Sequence, residues 1–453
     1  MSIAQRGELG SWGSRTTFVL ALSTAAVGMG SLWRFSYLMG ENGGGLFMLA
    51  YLVCLFLVAV PVMIAEIIIG SHGRAAPVVA VRWAADRSLL SRGWTILGWL
   101  ACATGLLILS YYVVVAGWSL AYARNMSSGL FASASPALVA QQFELLLDDV
   151  LLMIYWQTLF LVPAVIVLAM GIRGGLGLLV WLAVPAMFAL LAALIKFGFD
   201  AGNIPATQDF LFSIKLVDFS WATVLAALGH ALFTLGVGVG TGISFGAYTP
   251  ARLPIGRSVM AVAVFDTAIA VMAGLAIFPI VFANNMEPSM GPGLMFISLP
   301  YAFGNIMQGE LFGTLFFAVV VLAALGSVVA ILEPVVGVLM QSVRLGRVSA
   351  ALSAGLIVWL LALLVTLSFA PGEHDTRLAN GSLFRWVDAV SANYMLPLVA
   401  LLTAILVGWR LRPEILRREL YREMDLFFSL WQRLLRYIAP PAILVIVVAA
   451  LMK

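Results

Sequence analysis

Charge is what this sequence has least of. Only 10% of its 453 residues are charged, while 62% are hydrophobic; a soluble domain carries about a quarter charged residues. That shortage excludes an ordinary water-soluble fold. Cysteine is equally scarce. Cys54 and Cys102 both fall inside apolar runs, which excludes a disulfide framework and leaves two free membrane thiols. Metal-ligand spacings, phosphate-binding loops and nucleophile elbows are missing, and no acid–base or nucleophile pair sits at one depth. An enzyme and an organic cofactor are therefore not expected. The net charge of +4 is too small to point to nucleic acid. Met1 to Arg15 is short and polar, and the apolar run after it has no clear cleavage site, so no cleavable signal peptide is expected.

What the chain has in quantity is apolar runs of membrane-spanning length. Eleven spans are read at 15–39, 44–70, 95–123, 152–171, 175–196, 221–249, 258–283, 311–342, 349–370, 385–409 and 437–452. Arginine divides the joining segments into two kinds. Arg6, Arg15, Arg74, Arg82, Arg87, Arg92, Arg173, Arg252, Arg257, Arg344, Arg347 and the group from Arg410 to Arg436 fall on one side, and the other side is mainly acidic. By the positive-inside rule the N-terminus is cytoplasmic and, after eleven spans, the C-terminus is outside. The expected location is the inner (plasma) membrane, multi-pass. Pro413 to Arg436 reads as an amphipathic helix on the inner surface, and Asn284 to Glu310 as a long outer loop.

The stretch Leu22 to Tyr51 organises the rest. Gly28 and Gly30 interrupt the first span at mid-depth, and Arg34 follows four residues later. Irregular backbone inside a bilayer survives only where protein or a water-filled cavity covers it, and an intramembrane arginine marks a bundle interior or a pathway. The sixth span holds a second glycine-rich interruption, from Phe233 to Gly242. Interrupted helices at matching positions of two halves point to a transporter binding site; glycines that merely allow close helix packing are the plainer alternative.

Broken helices offer free amides to anions and free carbonyls to cations. The amides near Met29 and Gly30 can take a carboxylate, and carbonyls around Thr24, Ala26 and Val27 can take sodium, with the hydroxyls of Ser31 and Thr234 nearby. The remaining intramembrane charges are Glu66, Asp266, Glu333 and Asp388. Glu66 reads as a cap for the loose amides of span six. Asp266 reads as a cation ligand, a proton site or a fixed counter-charge. Arg34 and Asp388 lie near the outer ends and can pair across an entrance. His230 is read as a packing residue rather than a switch.

Taken together, Trp12-Gly-Ser-Arg15, Ala26-Val-Gly-Met-Gly30, Trp33-Arg-Phe35, Glu41-Asn-Gly-Gly-Gly45, Tyr111-Tyr112 and Phe233-Thr-Leu235 resemble the neurotransmitter:sodium symporter family, over nearly the whole chain. Eleven spans resemble its bacterial, LeuT-like amino acid transporter branch. The resemblance implies an all-α polytopic membrane protein with a LeuT-like 5+5 inverted repeat and discontinuous helices 1 and 6, an architecture for which that family is itself the standard example. Residues 1–453 are then one transporter domain, with repeats at 15–196 and 221–409 and an eleventh helix at 437–452.

It further implies sodium-coupled uptake of an amino acid by alternating access. By position, the substrate carboxylate would meet the amides of Met29 and Gly30 and the hydroxyl of Tyr112, beside Ala26. The pocket would be completed by Ile108, Phe233, Gly236, Val239, Ser327 and Ile331. A first sodium would lie near Ala26, Ser31, Thr234 and Asp266, and a second near Thr24, Val27, Ala323 and Ser327. Arg34 and Asp388 would form the outer gate, with Phe233 and Tyr112 as a thin lid. The apolar, small-residue lining favours a medium-to-large apolar amino acid.

Several positions depart from the family's pattern. Ser31 and Asp266 stand where asparagine is usual, so Asp266 is expected to supply the negative charge that chloride supplies in animal relatives; chloride is not expected here. A rival reading makes Asp266 the counter-charge for an amine or osmolyte, and another makes the protein a solute sensor that does not transport. Gly326 replaces a usual threonine or aspartate of the second sodium site, His230 a glutamine, and Leu9 and Gln341 the two arms of the inner arginine–aspartate latch. The partners expected are a small solute and the lipid bilayer.

Overall fold

The computed structural model describes residues 10–213, 220–250, 253–286, 293–369 and 382–452. Arg6, Leu9, Arg252 and residues 287–292 lie outside the described residues; the segment expected as a long loop from Asn284 to Glu310 is not all loop, since Leu294–Gly304 within it is helical. Every regular element described is helical. In order they are α1 (Arg15–Ala26), α2 (Gly30–Glu41), α3 (Gly45–Gly73), α4 (Pro77–Arg87), α5 (Arg92–Ser127), α6 (Pro136–Asp148), α7 (Val150–Ala169), α8 (Ile172–Ala201) and α9 (Ile204–Phe212). The second part continues with α10 (Trp221–Thr234), α11 (Thr241–Ala247), α12 (Ile255–Ala283), α13 (Leu294–Gly304), α14 (Gly309–Val343), α15 (Arg347–Leu367), α16 (Leu383–Arg410), α17 (Pro413–Glu419) and α18 (Asp425–Leu451).

Among the described residues nine helices are long and apolar enough to cross a membrane, and ten if α1 and α2 form one bent span. Their placement follows from which faces are apolar. Helices α3 and α5 are apolar all round, and 78% of their most apolar stretch is buried inside the protein. Only 22% of α18 is, so its apolar surface faces outward, where lipid replaces protein as the solvent. Helix α14 packs along α5 and against α1, α11 sits against α3, and α12 lies on α8.

Two backbone interruptions shape the centre. Helix α1 ends at Ala26, Val27 is extended (ψ 103°), and α2 restarts at Gly30 with a bend of 54°. A side chain on Gly28 would collide with the hydroxyls of Ser327 and Tyr112, so both would have to move to admit a Cβ. Between α10 and α11 the chain leaves the helix over residues 235–240, with Gly236, Gly238 and Gly240 all at positive φ (65°, 89° and 78°), a region L-residues with a Cβ rarely adopt.

One boundary differs from expectation. The 413–436 segment is not a single surface helix. Pro413–Glu419 forms a short helix, but Asp425 opens the last long helix, which runs on to Leu451. Trp431 turns inward and its Nε1–H donates to the Pro61 carbonyl at 3.0 Å. The amphipathic period arises because one face of this turn packs on protein.

Candidate functional site

The interruption after α1 places a ring of oxygen atoms at the centre of the bundle. Asp266, on α12, is fully buried. Its Oδ1 accepts from Ser31 Oγ at 2.6 Å, and its Oδ2 accepts from Thr234 Oγ1 and from Tyr51 Oη, each at 3.0 Å. Ser31 Oγ also lies 3.0 Å from Thr234 Oγ1 and 3.4 Å from the Ala26 carbonyl. Thus Ala26, Ser31, Thr234 and Asp266, far apart in the chain, meet at one point. Hydroxyl, carbonyl and carboxylate oxygens are the donor set a hard cation takes, and a buried carboxylate with three hydroxyl donors is already oriented for one.

Two residues before Ser31 the Met29 amide donates to Tyr112 Oη at 2.9 Å. Beside it lies a cavity of about 30 Å3 bordered by Ala26, Gly28, Gly30, Ile108, Tyr112, Phe233, Gly236, Val239, Ser327 and Ile331, among others. Two residues of its lining were not anticipated. Ala25 sits in the same break as Ala26, and Leu396 comes from α16. Leu396 stands directly before Pro397, and its carbonyl backs the Gly238 turn. Met29 faces the next cavity rather than this one.

That next cavity, of about 80 Å3, is separated from the first by Phe233 and Tyr112, which border both. Arg34 covers the Phe233 ring with its guanidinium 4.7 Å from the centroid, and its Nη1 is 3.8 Å from Asp388 Oδ1. The two charges thus meet beside the Phe233 ring.

Ser327 Oγ lies 3.4 Å from the carbonyls of both Ala25 and Val27. Ala323 is buried one turn before it. Thr24 comes against Gly326, where its methyl takes the space a side chain at 326 would need, while its hydroxyl donates to Leu20 O at 2.8 Å. Glu66 accepts from the Gly238 amide at 2.7 Å and so caps the loose backbone after α10.

At the opposite end Gln341 Oε1 accepts from the Ala76 amide at 2.9 Å. The buried Glu333 instead carries an ion pair. Arg347 donates to its two oxygens at 2.7 and 2.5 Å, Tyr248 Oη donates at 2.7 Å, and Arg347 Nε reaches the Leu168 carbonyl at 2.7 Å. Trp12 binds the same region through its Nε1–H to Phe245 O and its backbone N–H to Tyr248 O. Sequence reading noted Glu333 and Arg347 separately. Their spacing across a tight turn between α14 and α15 was the available signal for the pair.

Known proteins match this arrangement along nearly the whole chain. The model of the sodium:neurotransmitter symporter family matches residues 9–132 and 148–453. An uncharacterized sodium-dependent transporter of Bacillus subtilis (strain 168) is 29% identical over 438 residues, 96% of each chain. One of Haemophilus influenzae is 29% identical over 97% of this chain and 98% of its own. The crystal structure of MhsT in complex with L-phenylalanine shares 34% identity and a TM-score of 0.88, covering 97% of this chain and 99% of that one. A broken apolar helix, a buried oxygen cluster and these matches lead to one conclusion: the chain belongs to the sodium:neurotransmitter symporter family and is a multi-pass membrane transporter, not an enzyme.

Proposed function

We propose that this protein imports an apolar amino acid by sodium-coupled alternating access. The observation that carries the reading is the oxygen cluster of Ser31, Thr234 and Asp266, set beside the Met29 amide, Tyr112 and a small apolar cavity. In this reading Ala26, Ser31, Thr234 and Asp266 hold one sodium ion, and Thr24, Val27, Ala323 and Ser327 a second. The Met29 and Gly30 amides and Tyr112 take the substrate carboxylate. Ile108, Phe233, Gly236, Val239, Ser327 and Ile331 enclose its side chain. The complex of MhsT with L-phenylalanine, an apolar amino acid, supports the substrate class.

Helices α10 and α11 are read as two halves of one broken span, giving eleven spans and inverted repeats at 15–196 and 221–409. Arginine-rich segments on one side support a cytoplasmic N-terminus and an outer C-terminus. Arg34 and Asp388 then close the outside, and the Tyr248–Glu333–Arg347 cluster closes the inside, in place of the latch lost at Gln341.

The rival in which Asp266 pairs with a cationic substrate is disfavoured, since Asp266 does not border the central cavity and its oxygens face three hydroxyl groups. The test is uptake by purified protein in liposomes, with pooled labelled amino acids and an inward sodium gradient. Accumulation that disappears when the gradient is collapsed is the expected result. Binding without accumulation would leave a sensor, and binding only of amines would overturn the substrate class.

A further inference from the structure

A groove of about 770 Å3 lies away from the central site, where the end of α5, the loop after it, α6 and the start of α7 meet. None of its lining residues borders the central cavity or the one above the lid.

The groove lies where a span begins. Only 28% of the most apolar stretch of α7 is buried inside the protein, so most of that helix faces lipid. Leu145 and Leu151 line the groove and are themselves exposed, Leu151 at 79%. Trp156 lines it too, and the ring of the exposed Tyr155 lies 5.1 Å from it. Tyrosine and tryptophan near the start of a span mark the level of the lipid headgroups.

Charges of both signs line this one groove without pairing. Arg124 comes from α5, Asp148 from the end of α6 and Asp149 from the link to α7, and all three are exposed. Asp149 Oδ1 accepts from the Leu152 amide at 2.9 Å and so caps α7. Among the described residues Arg124 and Asp148 make no side-chain hydrogen bond and no ion pair. Opposite charges held apart on separate helices suit a group that carries the same two charges in reverse.

The lining sets the chemistry of that group. The Arg124 guanidinium has the fork of N–H donors that phosphate oxygens fit. The two carboxylates only accept, so they favour an ammonium that still carries N–H groups. A quaternary ammonium offers none. An anionic headgroup would bring its charge against two carboxylates. A free amino acid carries both charges but no chain to cover Leu145 and Leu151, whereas a lipid brings acyl chains.

We propose that this groove binds phosphatidylethanolamine from the bilayer. Its phosphate lies on Arg124, its ammonium on Asp148 and Asp149, and its chains along Leu145, Leu151 and Trp156. Bound there, it ties the ends of α5, α6 and α7 together. The binding claim is independent of which solute the central site carries.

The test uses the full chain in nanodiscs of phosphatidylcholine doped with phosphatidylethanolamine of the same acyl chains. Lipid retained after mild release into detergent is counted by native mass spectrometry, and the thermal midpoint of each variant reports folding. Exposed ion pairs are individually weak, so phosphatidylethanolamine should be retained about fivefold over phosphatidylcholine. The double variant Asp148→Asn, Asp149→Asn removes both charges while asparagine keeps the helix cap, and its preference should vanish. Arg124→Gln, a second and separate variant, should weaken retention of both lipids alike. Equal retention of the two lipids by the unaltered protein would overturn the proposal. So would a preference for phosphatidylglycerol, an undiminished preference in the folded double variant, or unchanged retention in Arg124→Gln. Retention of chain-free glycerophosphoethanolamine as tight as that of the lipid would overturn the bilayer as its source.

Discussion

Replacing Asp266 by asparagine removes one negative charge from the oxygen cluster and leaves its shape nearly intact. The carboxylate is fully buried and takes hydroxyl hydrogen bonds of 2.6, 3.0 and 3.0 Å. If it ligates sodium, the lost attraction can be sized. Two opposite charges about 4 Å apart interact by about 4 kcal/mol at an effective dielectric constant of about 20, which corresponds to about three decades of affinity at 1.4 kcal/mol per decade. Two effects reduce that figure. The asparagine carbonyl still offers an oxygen, and a neutral amide costs less to bury than a carboxylate. The half-saturating sodium concentration should therefore rise about 30- to 1,000-fold. The assay is sodium titration of labelled-substrate binding to purified protein, repeated with chloride and with gluconate. If Asp266 replaces a bound anion, Asp266→Asn should regain affinity in chloride or lose activity outright. A sodium midpoint that moves by less than about threefold would refute the ligand role, and a change in substrate charge preference would revive the counter-charge reading.

Three further outcomes follow from other contacts. Gly326→Thr should lower the thermal midpoint by overpacking against Thr24, a cost of about 1–3 kcal/mol, whereas Thr24→Gly with Gly326→Thr should restore it and steepen sodium dependence; strictly additive effects would show that the two positions do not share one space. Arg347→Met leaves Glu333 charged and unpaired in the interior, at about 3–5 kcal/mol, so it should destabilise the protein more than Tyr248→Phe, which removes one hydrogen bond worth about 1 kcal/mol; thermal unfolding of both variants decides. At Glu419 burial alone would raise the carboxyl, but hydrogen bonds from His72 and Ser71, with the charges of His72 and Arg74, hold it below the ordinary glutamate value. A carboxyl lowered by folding stabilises at neutral pH and loses that contribution as pH falls below about 5 and through its folded value. The thermal midpoint should drop over that range, and Glu419→Gln should flatten the drop.

How much of this was legible in the sequence depends on what each residue must do alone. The apolar runs announced the helices, because a lipid-exposed or deeply buried helix needs no partner to be recognised. The bend of α1 into α2 was legible for a similar reason: Gly28 and Gly30 are out of place in a plain membrane anchor, and a Cβ at Gly28 would displace the hydroxyls of Ser327 and Tyr112. Ser31, Thr234 and Asp266 were legible as oxygen donors, although their meeting depends on two separate interruptions lying at one depth. Leu396 was not legible. A leucine that backs a cavity and a leucine that faces lipid look alike in an apolar run, and only the approach of its carbonyl to Gly238 distinguishes it.

The same limit applies to polar groups whose partner is decided by a turn or a missing side chain. Glu333 and Arg347 each stood out as charges, yet their pairing needed the tight reversal between α14 and α15 that brings them to 2.5 Å. His230 looked like a packing residue, and three aromatic rings do pack it. Neither of its ring nitrogens meets a partner among the described residues, and a sequence does not announce a hydrogen bond that is not made. Sequence reading ranks residues by what their side chains can do. A cavity is made by what neighbouring side chains fail to fill, so it is read from the folded chain alone.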